Sequence, residues 1–140
     1  AIVGRYCIHF HMNGDVSDSY VRGNAVHHSF ARVLTLHAVY YLTVEHNVGY
    51  WVRGHNIFLE DGIEQYNLIQ YNLMVSSLQV FNMLQTDISV ASYWITNPLN
   101  TVRYNHAAGS DFYGLWYEIK THPDGASATT DICPTGLPLG

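Results

Sequence analysis

The chain has 140 residues, of which 48% are hydrophobic and 14% aromatic, but only 12% are charged. This composition excludes a disordered chain, because disordered segments are rich in charge and poor in aromatic residues. Six Lys and Arg residues and a net charge of −5 also exclude the basic surface that nucleic acid requires, so no nucleic-acid partner is expected. The longest uncharged run, residues 65–86, is rich in Gln, Asn and Ser, and no membrane span is expected there.

Short segments in which apolar and polar residues alternate recur along the chain, and such alternation predicts a strand with one buried face. In chain order they are residues 8–11, 34–37, 57–60, 94–96 and 115–118. No helical periodicity fits them, so the chain is predicted to be all-β. The residues predicted to point into the core are Leu34, Leu36, Ile57, Leu59, Ile95 and Leu115.

A four-residue pattern recurs between these segments: a β-branched residue, a polar residue, a variable residue and then Asn. Successive Asn residues of the pattern are 23, 25 and 33 positions apart. A period in the twenties indicates a solenoid, here a parallel one with coils of about 23–25 residues. The longer last spacing predicts an insertion over residues 76–89 that contains a short helical turn. The Asn residues are expected to stack as a structural ladder of Asn24, Asn47, Asn72 and Asn105.

The outward-facing residues of the predicted strands form two columns on one face of the solenoid. The first column is His9, Thr35, Phe58, Trp94 and Trp116. The second column is His11, His37, Glu60, Thr96 and Glu118. Neighbours in a column would lie about 5 Å apart. Exposed rings stack on sugars, while imidazole and carboxylate groups bind hydroxyls or transfer protons, so this face is a candidate groove for binding or cleaving glycans.

Two interpretations of these columns remain open. In the functional one, the candidate catalytic residues are His11, His37 and Glu60. The candidate ligand-binding residues are His9, Phe58, Trp94, Trp116 and Glu118. In the structural one, the polar side chains are merely solvated and a neighbouring domain covers the aromatic rings.

An acidic turn follows the third strand segment. Asp61 and Glu64 lie in it and are candidate ligands of calcium. A solvated acidic turn is the alternative. A metal shared between neighbours of the outward columns is the other metal site that the sequence suggests. The two cysteines, Cys7 and Cys133, form no CxxC motif, and whether they pair cannot be inferred from the sequence.

The chain changes character near its end. Residues 121–140 contain three of the four Pro residues and lose the alternation, so an irregular tail is predicted to follow coils over residues 1–120. The first residue is Ala rather than Met, and we expect the chain to be a fragment of a longer protein with flanking domains.

Several long motifs carry a resemblance to a known family. They are GRY at residues 4–6, IHFHMNGD at 8–15, AVHHSF at 25–30, FLEDG at 58–62, WITNP at 94–98, AAGS at 107–110 and GLWY at 114–117. In these motifs the chain resembles the fibrocystin and fibrocystin-L family, which is related to the cell-migration-inducing and transmembrane hyaluronan-degrading proteins. The resemblance covers nearly the whole chain. It implies a right-handed parallel β-helix that follows a G8 domain in a large extracellular or single-pass membrane protein.

The resemblance implies two alternative functions. The short insertion and the tail resemble the fibrocystin branch, which implies a structural extracellular module that binds a glycan or an extracellular protein. The signature shared with the other branch implies a hyaluronan depolymerase that uses the outward His and Glu residues, with calcium as the candidate cofactor. His9, His11, the region of His37, Glu60 and Asp61 fit either branch, so the sequence leaves open whether the chain is an enzyme.

Overall fold

The computed structural model describes residues 4–81, 84–120 and 122–128. These residues form thirteen strands and two short 3-10 helices, Gln85–Ser89 and Gly125–Ser127. The strands are, in chain order, β1 (Ile8–Asp15), β2 (Tyr20–Arg22), β3 (Ala25–His27), β4 (Leu34–Tyr40), β5 (Thr43–Glu45), β6 (Val48–Arg53), β7 (Ile57–Leu59), β8 (Leu68–Gln70), β9 (Leu73–Leu78), β10 (Ala91–Ile95), β11 (Thr101–Arg103), β12 (His106–Ala108) and β13 (Tyr113–Tyr117).

Each strand pairs in parallel with the strand one coil away, and three sheets result. The five-stranded sheet, here called the front sheet, has the order β1-β4-β7-β10-β13. The other two have the orders β2-β5-β8-β11 and β3-β6-β9-β12. The chain is therefore a β-solenoid of about four turns, and the predicted all-β parallel solenoid is confirmed. Of the helices in the described ranges, none is long and apolar enough to cross a membrane.

The register of the front sheet brings the first column of side chains together. His9 pairs with Thr35, and Thr35 pairs with Phe58. Trp94 pairs with Phe58 on one side and with Trp116 on the other. Residues distant in sequence thus become neighbours because each coil repeats the path of the previous one.

The interior of the solenoid is filled by apolar side chains from all three sheets. Of the predicted core residues, Leu115 alone is exposed, at 52%, because β13 is the edge strand of the front sheet and the described residues add no further coil beyond it. Tyr93 fills the core position paired with Leu115, and its hydroxyl donates to the carbonyl oxygens of Asn72 and His106. The other predicted core residues are fully buried: Leu34, Leu36, Ile57, Leu59 and Ile95.

Four Asn side chains form a continuous hydrogen-bonded ladder at one corner. Asn47 accepts from the backbone N–H and the side-chain amide of Asn24, at 3.0 and 2.9 Å. Its own amide donates to Asn72 Oδ1 and to the carbonyl oxygen of Val21, both at 2.9 Å. Asn72 repeats this arrangement with Asn105. The ladder gives hydrogen-bond partners to the Asn side chains and to the backbone of the turns. Burial of these amides therefore does not destabilise the fold.

A second ladder at another corner was not predicted. Asn67 donates from its backbone N–H and its side-chain amide to Asn100 Oδ1, both at 3.0 Å. It accepts from the backbone N–H of Leu42 at 2.9 Å. The signal was present in the sequence, since Asn67 and Asn100 each stand five residues before an Asn of the first ladder, Asn72 and Asn105.

The predicted insertion begins later than expected and folds back over the front sheet. Strand β9 continues to Leu78, so the chain leaves the coil at residue 79 rather than 76. The 3-10 helix Gln85–Ser89 precedes the return into β10. Leu84 packs on a small apolar cluster of Phe58, Ala91 and Trp94.

Part of the predicted tail also packs on the solenoid. The 3-10 helix Gly125–Ser127 lies beside the acidic turn, where the Ser127 N–H donates to Asp61 Oδ2 at 2.9 Å. The Asp124 N–H donates to the carbonyl oxygen of Asp61 at 3.0 Å. Residue 121 and residues 129–140 of the predicted tail, including Cys133, lie outside the described residues.

Candidate functional site

Three imidazole rings meet on the front sheet. Strand β1 carries His9 and His11 two positions apart, which places them on one side of the strand. Their ring centroids lie 5.1 Å apart, and the ring of His37 from β4 lies 4.7 Å from that of His11. A register shift between His11 and Gly14 follows in β1, and Met12 there has a positive φ of 54°. Such a bulge re-aims side chains at the end of a strand.

His37 is held between two carboxylates. Its Nε2 lies 2.7 Å from Asp61 Oδ2, and its Nδ1 lies 3.8 Å from Glu60 Oε2. Because an ionised carboxylate only accepts, Nε2 carries the hydrogen of that short bond, and Nδ1 is the nitrogen left facing Glu60. The bond to Asp61 is the main cause that raises the pKa of His37.

The two carboxylates differ in their surroundings. Burial raises the pKa of Glu60, although the nearby His37 opposes this. Burial also acts to raise the pKa of Asp61, but the bonds from His37 and Ser127 outweigh it and the pKa is lowered. Glu60 is therefore the carboxyl group that more readily carries a proton, while Asp61 stays ionised beside the imidazole.

The Glu64 side chain is hydrogen-bonded to the backbone of the acidic turn. It is fully buried and accepts the backbone N–H groups of Ala38, Asp61 and Gly62 at 2.9, 3.2 and 2.9 Å. Burial raises the pKa of Glu64, and these bonds oppose the rise. The two candidate calcium ligands thus already accept hydrogen bonds from the chain, and calcium binding there stays a prediction.

Two of the three aromatic rings of the first column are buried, so the expectation of exposed rings is wrong for them. Phe58 is 2% exposed and Trp94 is 6% exposed. The guanidinium carbon of Arg32 lies 3.7 Å from the centre of the Phe58 ring, and the His55 ring lies 4.6 Å from that of Trp94. Trp116 remains 37% exposed and stacks on Trp94 at 5.8 Å.

A buried polar cluster beneath the insertion was also missed from the sequence. Arg32 Nη2 lies 2.9 Å from Asp87 Oδ2, and His55 Nε2 lies 3.5 Å from Asp87 Oδ1, with all three side chains fully buried. The Ala91 N–H donates to His55 Nδ1 at 3.0 Å. No sequence pattern links Arg32 to Asp87, because they are 55 positions apart and Asp87 belongs to the insertion.

A cleft of about 290 Å³ opens between the front sheet, the insertion and the residues after β13. Glu60 and Asp61 lie at one side of it, and Glu118 lies further along the second column. Lys120 Nζ lies 3.3 Å from Glu118 Oε2 and 2.6 Å from Asp124 Oδ2. Among the described residues that line the cleft, Lys120 is the one cationic side chain, so the cleft is acidic.

The candidate site residues therefore fall into two groups. The histidines and Glu60 meet near the first coils, whereas Trp116 and Glu118 lie at the last coil, where Glu118 also lines the cleft. Cys7 is exposed, and its thiol donates to Ser29 Oγ at 3.1 Å. Its pairing with Cys133 is untested, since Cys133 lies outside the described residues.

Comparison with known proteins supports the resemblance that the motifs predicted. The family model described as CEMIP beta-helix matches residues 1–139. The chain is 46% identical to Fibrocystin-L of Mus musculus and 45% identical to Fibrocystin-L of Homo sapiens, over 99% of its length in each case. It is 33% identical to the cell surface hyaluronidase CEMIP2 of Homo sapiens, also over 99% of its length. The chain spans 3% of the length of either Fibrocystin-L and 12% of that of the hyaluronidase.

Proposed function

We propose that this chain, which belongs to the CEMIP beta-helix family, is an extracellular β-helix module of a large fibrocystin-L-like cell-surface protein and binds a glycan along the cleft of the front sheet. The similarity to Fibrocystin-L and to proteins named as cell surface hyaluronidases supports the location. A solenoid suits such a role, because its stacked coils hold an extended lateral surface rigid.

The observation that carries the proposal is an exposed aromatic platform next to carboxylates. The Trp116 ring is fixed by stacking on the buried Trp94, and the Tyr113 ring lies 4.6 Å from it. Glu118 follows Trp116 on the same strand path and lines the cleft. A rigid ring stacks on the apolar face of a sugar, while carboxylate oxygens accept its hydroxyl hydrogens.

The charge of the cleft favours a neutral glycan over a polyanionic one. Glu60, Asp61, Glu118 and Asp124 line it, against the single ammonium group of Lys120. Like charges that face each other at close range in a partly buried cleft repel, and this repulsion disfavours a chain of uronate groups.

The test is binding of the folded protein to a panel of neutral and anionic oligosaccharides. We expect Trp116→Ala to weaken binding about tenfold or more, because one stacking contact is lost. Trp51→Ala is the matched control, since Trp51 is 47% exposed but lies on β6 in another sheet. Equal affinities of the two variants, or a preference for polyanions, would contradict the proposal.

A second candidate function is hyaluronan depolymerisation, and a specific arrangement favours it. His37 is oriented by the short bond to Asp61 and directs its other nitrogen towards Glu60. An imidazole oriented by one carboxylate and placed beside another is suited to general acid-base catalysis. In this mechanism Glu60 protonates the leaving glycosidic oxygen, and His37, 3.8 Å away, returns a proton to Glu60. The two groups are too close to flank the glycosidic bond, so the attacking water approaches from the opposite face of the sugar and loses its proton to solvent.

The chain length of high-molecular-weight hyaluronan tests this candidate. The folded protein is incubated with hyaluronan, first with calcium and then with a chelator. Shortening that disappears in Glu60→Gln and His37→Asn, but persists in His46→Ala, would select the depolymerase. His46 is a suitable control because it is exposed and stacks on Tyr71 at a corner of the solenoid. If the length of the hyaluronan chains is unchanged, the depolymerase is rejected and the first proposal, a glycan-binding module, is retained.

A further inference from the structure

We propose that His9, His37 and Glu60 form a binding site for a transition-metal dication with the preferences of Zn²⁺. One ligand atom from each of these residues lies within 4.8 Å of the other two. In a tetrahedral zinc site with bonds of about 2.1 Å, neighbouring ligand atoms are about 3.4 Å apart. His37 Nδ1 and Glu60 Oε2 are already 3.8 Å apart, so small side-chain rotations would close the site.

Both histidines are oriented as metal-binding histidines are. His9 Nδ1 lies 3.3 Å from the carbonyl oxygen of Gly4, so this nitrogen carries the hydrogen and Nε2 keeps its lone pair. His37 donates from Nε2 to Asp61 and keeps the lone pair on Nδ1. A histidine that ligates a metal ordinarily donates its other N–H to a backbone carbonyl or a carboxylate, and both kinds of acceptor are present here.

A second observation points to a ligand at this position. His9 Nε2 is buried and has no hydrogen-bond partner among residues 4–81, 84–120 and 122–128. A buried acceptor without a partner is destabilising and calls for an explanation such as a bound ion. A metal ion between His9, His37 and Glu60 would occupy this lone pair.

The donor set selects the class of metal. Two imidazole nitrogens and one carboxylate oxygen suit Zn²⁺ and neighbouring transition metals, whereas Ca²⁺ takes six to eight oxygen ligands. Asp61, a candidate calcium ligand in the sequence, serves here to orient His37 instead. Three protein ligands leave a fourth position for water or a ligand, and Glu60 lies on the wall of the acidic cleft. This site does not depend on glycan binding.

The experiment is a metal titration of the longest folded form of the protein that contains this chain. We expect one Zn²⁺ for each copy of this site and visible absorption bands of tetrahedral Co²⁺ when cobalt replaces zinc. His9→Asn and Glu60→Gln should each weaken Zn²⁺ binding at least 100-fold, and Asp61→Asn should weaken it 10- to 100-fold through the orientation of His37. His46→Ala should bind as the wild type does, because His46 lies at a distant corner.

Three results would overturn the proposal. They are a folded wild-type protein that binds no Zn²⁺ at this stoichiometry, His9→Asn with wild-type affinity, and a Co²⁺ complex without tetrahedral bands. Displacement of Zn²⁺ by an equal amount of Ca²⁺ would also overturn it, because an oxygen-preferring ion would then hold the site. The wild-type Co²⁺ spectrum keeps the proposal falsifiable even where a variant fails to fold.

Discussion

His55 is neutral in the folded protein, and we predict that this makes the β-helix lose stability in mild acid. Its ring is fully buried, and its Nδ1 accepts the N–H of Ala91. Protonation would place a second hydrogen against that N–H. Burial is the largest of the causes that lower the pKa of His55 to about 3. Arg32 adds to this effect, and Asp87 opposes it.

The magnitude follows from the difference between the folded and unfolded chains. An unfolded His has a pKa of about 6.5. Between that pH and about pH 3 the unfolded chain therefore binds one more proton at His55, so the free energy of unfolding falls as the pH falls. Each pH unit below 6.5 removes about 1.4 kcal/mol, so acidification to pH 5 removes about 2 kcal/mol.

The assay compares the wild type with His55→Asn in urea unfolding at pH 7.5 and at pH 5. The Asn side-chain oxygen can accept the Ala91 N–H in place of Nδ1, but Asn does not titrate. The variant starts less stable, because the His55 ring packs on Phe58 and Trp94, so the change with pH is compared within each protein. Other titrating groups are common to both proteins and cancel. If both proteins lose the same free energy between the two pH values, the reasoning is refuted.

Three further predictions concern the packing of the solenoid. Arg32→Met leaves the buried Asp87 carboxylate without its cationic partner, so urea unfolding should show a loss of about 3–5 kcal/mol. A loss below about 1 kcal/mol would contradict the role of this ion pair. Asn47→Ala removes a fully hydrogen-bonded member of the ladder and should lower the free energy of unfolding by about 2–4 kcal/mol. Backbone amides at that corner should also exchange faster with solvent, and unchanged exchange would argue against the ladder. Gly49→Ala would place a Cβ 2.6 Å from Met74 Sδ, so calorimetry should show a loss of about 1–3 kcal/mol, whereas an unchanged melting temperature would show that the interior has room.

The architecture could be predicted from the sequence because the information that specifies a solenoid is local and repeated. Alternation over four residues gives the buried face of each strand, and the spacing of the ladder Asn residues gives the length of a coil. Together they fix the register that pairs Phe58 with Trp94 and His11 with His37. Leu115 shows what the alternation cannot predict. The pattern gives the face of the strand on which Leu115 lies, but burial of that face depends on a neighbouring coil.

The burial of Phe58 and Trp94 could not be predicted, because it depends on the insertion that interrupts the repeat. Asp87 comes from the insertion and is paired with Arg32 from a loop before β4. Neither residue belongs to a repeated pattern, and the contact forms only when the insertion folds over the front sheet. A charge in a non-repeating segment has no counterpart in the other coils, so sequence periodicity carries no information about its partner.

Metal binding and proton donation by Glu60 exclude each other, so one experiment can separate two chemistries at the same cleft. A carboxylate that coordinates a dication carries no proton and cannot protonate a leaving oxygen. If hyaluronan is cleaved by proton transfer from Glu60, added Zn²⁺ should slow the cleavage and a chelator should restore it. If a metal held by His9, His37 and Glu60 activates the attacking water, the chelator should abolish cleavage and Zn²⁺ should restore it. If the protein binds Zn²⁺ but cleaves hyaluronan neither with Zn²⁺ nor with the chelator, the metal would be assigned to ligand binding. Its open fourth coordination position can take a sugar hydroxyl.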